Sequence, residues 1–339
     1  MAPVVGVGSK SAMVGSAPTS HPGGEPVEWG TTVTVVQVGS TSRMPAFLRA
    51  MRPKQWLKNV LLALAPLSAG VLLEPGVIVE VLLAIIAFSL TSSGGYMLND
   101  LLDIQSDRLH PKKRFRPIPS GEFPVRAAWP TALVLLVVPS AVAIVAGHVL
   151  FGAVLLTYVV IQVSYCIWLK HQPVIDIIVV ASGFVLRAIA GAAVVGIPVT
   201  QWFLLVISSG SLFMVAGKRY SEKVGSAGQE ELHTRKTLDL YSLGYLRFVW
   251  TVAATLTMLS YAMWAFDLNG GTSIGSIASI VPFGVALLLY AFDIEKGDAS
   301  APEEVVLKDV RLFVCGMIWA GLFLVSVLAR LYGWELPTL

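Results

Sequence analysis

The chain has 339 residues, of which 55% are hydrophobic and only 13% charged, with a formal net charge of +3. Soluble globular chains carry about 25% charged residues. That shortfall and a mean hydropathy of +0.73 exclude a water-soluble enzyme, a disordered tail protein, a collagen and a disulfide scaffold. The expected fold class is all-α: a polytopic membrane protein whose surroundings are membrane lipid. No bulk basicity points to a nucleic-acid partner.

Residues 1–42 are rich in Gly, Ser, Thr, Pro and Val, with Lys10, Glu25 and Glu28 as their clear charges. No charged segment precedes a long apolar one there, so the stretch reads as a disordered cytoplasmic tail and not a secretory signal. Residues 43–339 read as one transmembrane domain. A helix needs about 20 apolar residues to cross a bilayer, and the runs 59–73, 77–99, 127–147, 149–169, 173–195, 201–217, 248–266, 273–292 and 312–329 predict nine spans. Cys166 and Cys315 both fall inside such runs and match no metal or redox spacing.

The loops are asymmetric. Arg108, Lys112, Lys113, Arg114, Arg116 and Arg126 separate the second and third runs, and Lys170 and His171 separate the fourth and fifth. Lys218, Arg219, Lys223, Arg235, Lys236 and Arg247 follow the sixth. The alternate loops hold no Lys or Arg. The positive-inside rule places the N-terminus and the basic loops in the cytoplasm and the C-terminus outside.

The second run ends in Asn99-Asp100-Leu101-Leu102-Asp103-Ile104-Gln105-Ser106-Asp107. On a continuous helix the three carboxylates, at i, i+3 and i+7, share one face. Like charges so placed need solvent or cations. Mg²⁺ binds carboxylates together with substrate phosphates, so Asp100, Asp103 and Asp107 are candidate metal ligands and catalytic residues. A solvated helix end is the competing reading. The string after it, with Arg108, Lys113, Arg114 and Arg116, suits either anionic-lipid attraction or the remaining oxygens of a polyphosphate held by the metal.

Three further groups stand out. Lys218 and Glu222 form an i,i+4 pair around Arg219, which is either a surface ion pair or a polar cluster beside the same mouth, extended by Arg235. The fifth run carries Asp176 and Arg187, 11 residues apart on one helix face and about 16 Å apart along it. They are too distant to pair, so each needs a partner elsewhere. Before the first run, Lys54 and Lys58 share a face of an α-helix and Asn59 enters the membrane. Snorkelling anchors are the plainer reading of these two lysines.

These residues resemble the UbiA superfamily of intramembrane prenyltransferases, whose N-D-x-x-D-x-x-x-D motif is matched at Asn99, Asp100, Asp103 and Asp107. More narrowly, D-R-x-H-P-x-K-R-F-R-P-I-x-x-G resembles the decaprenyl-phosphate phosphoribosyltransferase branch. So do R-P-x-Q-W-x-K-N-V, G-F-V-L-R-A-I-A-G around Arg187, and G-K-R-Y-x-E. The typical second aspartate-rich motif is replaced by Lys218, Arg219 and Glu222. The resemblance implies nine helices, a cytoplasmic active site and a Mg²⁺ cofactor. It implies transfer of 5-phosphoribose from phosphoribosyl pyrophosphate to a polyprenyl phosphate, yielding a precursor of cell-wall arabinan. Lys58, Asn59, Asp176 and Arg187 would then line the lipid-phosphate entrance, and Lys218, Arg219 and Arg235 would hold the donor's 5-phosphate. Two alternatives stay open: a prenyltransferase moving a polyprenyl chain from its diphosphate to an aromatic or lipid acceptor, and a transporter. The sequence is compatible with a homo-oligomer.

Overall fold

The computed structural model describes residues 44–225, 236–267, 274–300, 305 and 309–332. The N-terminal tail and Arg235 lie outside the described residues. Every described regular element is helical. In lipid a backbone must satisfy its own hydrogen bonds, which restricts spans of this composition to helices.

The chain enters through α1 (Ala46–Ala50), a 3₁₀ helix (Pro53–Ala63) and α2 (Leu64–Ala69). It continues through α3 (Pro75–Leu102), α4 (Ile104–Leu109), α5 (Val125–Val145), α6 (Val149–Ile167) and α7 (Ile175–Val195). After α8 (Gln201–Gly225) come α9 (Lys236–Asp239), α10 (Leu243–Asp267), α11 (Ile274–Ala278), α12 (Ile280–Lys296) and α13 (Val310–Tyr332). Among the described residues eight helical stretches are long and apolar enough to cross a membrane. The protein is a multi-pass membrane protein.

The first predicted span is the one that differs. Residues 59–73 do not form a continuous α-helix; a 3₁₀ helix of 11 residues leads into α2. At about 2.0 Å per residue for 3₁₀ and 1.5 Å for α, the pair still reaches about 30 Å, the thickness of a bilayer core. Its exposure repeats every three residues, as 3.0 residues per turn requires. Lys54, Leu57 and Val60 are exposed, while Asn59 and Leu62 are buried. Lys54 and Lys58 therefore do not share a face, contrary to the α-helical expectation.

The 3₁₀ helix lies hard against α7. A Cβ built on Gly191 would stand 1.8 Å from the Leu62 carbonyl oxygen. Ala188, Ala190 and Ala192 beside it are fully or nearly fully buried, and such small residues let membrane helices approach closely. The contact places Asn59 opposite Arg187. α7 also packs on α2, α3, α6 and α8, so it is the post on which both ends of the site are built.

Candidate active site

The acidic motif does not lie on one straight helix. α3 ends at Leu102, Asp103 adopts φ −96°, ψ 12°, and α4 begins at Ile104. The helical backbone bonds still run from Asp103 N to Asn99 O and from Asp107 N to Asp103 O, at 3.0 and 2.8 Å, but the three carboxylates do not share one partner. Asp100 and Asp107 are buried, and both accept from the same nitrogen, Arg116 Nη1, at 3.0 and 2.8 Å. Asp100 also accepts from Arg52 Nη2 at 2.5 Å, and Lys113 Nζ stands 3.7 Å from Asp107. Asp103 instead pairs with Lys170 Nζ. Three carboxylates thus face four cations. Burying a carboxylate costs several kcal/mol unless it is paired, and these pairs supply the compensation.

The donor set fits a metal of one kind. Among the described residues no three His, Cys, Asp or Glu side chains come together to hold an ion by themselves. Asp100 and Asp107 do converge on a single positive atom. Mg²⁺ is commonly bound by one or two carboxylates, with substrate phosphates and water completing its shell. A two-carboxylate site that a polyphosphate completes matches this geometry.

The basic string is sorted into two sides. Lys113 and Arg116 face the carboxylates. Arg108 Nε donates to the Pro119 carbonyl at 3.0 Å, which pins the following turn. Arg114 is exposed and stacks over Phe115 at 4.8 Å. His110 Nδ1 accepts the Lys112 and Lys113 amides at 3.1 and 3.2 Å. Burial, then nearby Lys113, holds its imidazole below the usual histidine range. Asn99 is half-buried one residue before Asp100.

The second cluster joins α7 to α8, and Asp176, expected with Arg187 at the lipid-phosphate entrance, is held here with Arg219 instead. Asp176 is 1% exposed; Tyr241 Oη donates to its Oδ1, and Arg219 Nε lies 3.4 Å from its Oδ2. Arg219 is itself buried and donates through Nη1 to Glu222 at 3.0 Å. Lys218 Nζ lies 3.9 Å from Glu222 and is 39% exposed. Of the two cations, Lys218 is the more accessible.

Arg187 sits deeper. Its Nε donates to Asn59 Oδ1 at 2.7 Å and its Nη1 to the Gly183 carbonyl at 2.6 Å. Asn59 Nδ2 in turn donates to Ser89 at 2.8 Å. The guanidinium lies 4.9, 5.4 and 5.8 Å from the ring centres of Phe88, Tyr158 and Phe184, a cation–π cage. Among the described residues it has no carboxylate partner. Lys58 Nζ is 6.0 Å from the ring centre of Phe184, which it shares with Arg187. Phe184 also walls an apolar cavity of about 460 Å³ that Leu61, Phe213, Tyr261, Trp264 and Phe323 help to line.

Residues 62–315 match the UbiA prenyltransferase family. The chain belongs to that family. It is 43% identical over 286 residues to the decaprenyl-phosphate phosphoribosyltransferase of Corynebacterium glutamicum, covering 83% of this chain and 86% of that protein. Identity to the enzyme of the same name from Mycobacterium tuberculosis is also 43%, over 276 residues, 80% of this chain and 91% of that one. A UbiA homologue from Archaeoglobus fulgidus, solved with GPP and Mg²⁺, superposes with a TM-score of 0.61 at 21% identity, covering 85% of this chain and 99% of that one. At that identity the likeness is one of fold.

Sequence reasoning noticed three further residues without giving them a place in the site. Arg52, Lys170 and Tyr241 touch Asp100, Asp103 and Asp176 respectively. Arg52 was legible as the first residue of R-P-x-Q-W-x-K-N-V and Lys170 as a loop cation, neither with its carboxylate partner. Arg52 carries one signal in hindsight: it precedes a proline and adopts φ 55°, ψ 62°, a left-handed conformation rare for a non-glycine residue. Such strain gathers at functional sites.

Proposed function

We propose that this protein transfers 5-phosphoribose from phosphoribosyl pyrophosphate to a decaprenyl or similar polyprenyl phosphate, releasing pyrophosphate. The excess of cations at the mouth is the observation that carries the reading. Four cations face three carboxylates at the acidic motif, and by the resemblance Lys218 and Arg219, here paired with Glu222 and Asp176, replace the second acidic motif of prenyl-diphosphate users. A donor with three phosphates needs that surplus. The 43% identity to two decaprenyl-phosphate phosphoribosyltransferases supports the same choice.

Asp100 and Asp107, with Asp103 one turn away, would hold Mg²⁺, which supplies positive charge against the departing pyrophosphate. Arg52, Lys113, Arg116 and Lys170 are positioned to exchange carboxylate for phosphate oxygens when the donor enters, through charge-assisted hydrogen bonds. Lys218 and Arg219, with Arg235 near them in sequence, bind the donor's 5-phosphate. Asn99, Arg108 and Arg114 complete the polar surround of the mouth. On the acceptor side, Lys58 and Arg187 offer positive charge at the head of the apolar cavity, and the cavity receives the first isoprene units. An oxygen of the lipid phosphate attacks C1 of the ribose. The C1–oxygen bond to pyrophosphate breaks, and its electron pair leaves with pyrophosphate. A phosphate monoester is already anionic at neutral pH, so the step requires no general base.

The protein would reside in the plasma membrane with its N-terminus and the basic loops in the cytoplasm, where the soluble donor is found. Its product would feed synthesis of cell-wall arabinan. Purified protein incubated with phosphoribosyl pyrophosphate, decaprenyl phosphate and Mg²⁺ is expected to yield a phosphoribosylated lipid in a mass spectrum. No such lipid, together with prenyl transfer from a polyprenyl diphosphate to an aromatic acceptor, would overturn the reading. A maleimide probe at Ser120→Cys, in a Cys166→Ala/Cys315→Ala background, is expected to react from the cytoplasmic side alone.

A further inference from the structure

The linker between α6 and α7 contains a strained turn. Val174 adopts φ 69°, ψ −51°, a region where a β-branched side chain is a genuine outlier. The Ile175 amide donates to the Pro173 carbonyl at 2.8 Å, which closes a three-residue γ-turn of the rare, strained class. Such a conformation persists only where its surroundings over-determine it. Here the surroundings come from the segment before α10. The Val174 amide donates to Tyr241 Oη at 2.6 Å, and the same hydroxyl donates to Asp176. Thr237 Oγ1 donates to the Lys170 carbonyl at 2.8 Å in the same linker. The Tyr241 ring is 4% exposed and stacks on Tyr245, with ring centres 5.8 Å apart and planes at 15°.

Burial and the bond to Asp176 push the Tyr241 phenol well above its usual range. It therefore remains protonated and keeps donating. From there the chain of contacts runs outward: Asp176 Oδ2 to Arg219 Nε at 3.4 Å, and Arg219 Nη1 to Glu222 at 3.0 Å. Glu222 is also within 3.9 Å of Lys218. One hydroxyl holds both the strained turn and the carboxylate that anchors Arg219.

We infer that Tyr241 is a positioning residue for the donor: its hydroxyl fixes Asp176, and Asp176 sets where Arg219 and Lys218 meet the terminal phosphate. The inference rests on the phosphoribosyl-transfer reading above. Tyr241 touches no reacting atom, so its removal acts on donor binding and leaves the acceptor side alone.

The test is Tyr241→Phe, which keeps the ring and its stacking and deletes the hydroxyl, with Tyr245→Phe as a control. Tyr241→Phe is expected to raise KM for phosphoribosyl pyrophosphate about tenfold, the size of losing one hydrogen bond to a charged group. kcat and KM for decaprenyl phosphate should stay within about twofold. Hydrogen exchange read by mass spectrometry should show amides 172–178 exchanging faster in this variant, because the turn has lost its hold. Tyr245→Phe should change neither. Unchanged donor KM, equal rises in donor and acceptor KM, or unchanged exchange at 172–178 would each overturn the inference. Wild-type protein that forms no phosphoribosylated lipid overturns the reaction itself, and that result is read before any variant is compared.

Discussion

Lys170 Nζ donates to Asp103 Oδ1 at 2.5 Å, although 67 residues separate the two in the chain. The pair ties the linker before α7 to the acidic motif after α3. It also explains why Asp103 does not join Asp100 and Asp107 on Arg116.

If Lys170 exchanges Asp103 for a phosphate oxygen when donor binds, its amine is part of the binding machinery. Lys170→Met is expected to lower kcat/KM for phosphoribosyl pyrophosphate by about 10- to 100-fold, the range of about 1.5–3 kcal/mol for a charge-assisted bond. The Lys170→Met/Asp103→Asn double variant should be no better than the single. Recovery in the double variant would show that the two groups merely neutralise each other.

The geometry also ranks the three carboxylates. Asp100→Asn and Asp107→Asn break the pair that converges on one cation, and each is expected to cut turnover by about 100-fold or more, in line with the loss of a principal electrostatic group. Asp103→Asn should cost less. Steady-state rates across a Mg²⁺ titration, at matched protein yield, measure the order. Equal losses at all three positions would mean that Asp103 swings back to its companions on loading.

Gly191→Ala places a Cβ against the Leu62 carbonyl, where backbone cannot yield as a flexible side chain would. Overpacking of this kind costs about 1–3 kcal/mol. A lower thermal midpoint in detergent is the expected outcome. Arg187 should lose its Asn59 partner at the same time, because the same contact sets their spacing.

His110 gives the basic loop a pH dependence. Its folded pKa is held below the unfolded value of about 6.5, by burial first and Lys113 second. Its contribution to stability is therefore present above about pH 6.5 and is lost as pH falls through the lower folded value. Protonated Nδ1 can no longer accept the Lys112 and Lys113 amides. Limited proteolysis of residues 108–121 should speed up as pH falls below about 6.5. In His110→Asn, whose side-chain oxygen accepts without titrating, that acceleration should disappear.

Hydropathy was enough to place eight of the nine predicted spans, because a helix crossing lipid must be long and apolar whatever its neighbours are. The acidic motif and its basic companions were legible for a similar local reason: their spacing lies within one short stretch. The 3₁₀ helix was not legible. Residues 53–63 have no local feature that selects 3.0 residues per turn over 3.6, and the choice follows the close approach of Gly191, 129 positions beyond Leu62. The break at Asp103 was hidden too, since an i, i+3, i+7 pattern reads the same whether or not the helix is continuous. The Lys218–Glu222 pair was legible as an i,i+4 spacing, but which cation meets Asp100, Asp103 and Asp176 was decided by tertiary structure. Lys170, Arg52 and Tyr241 reach the acidic groups from three separate loops, and a buried charge takes the partner that packing brings within reach, not the nearest one in sequence.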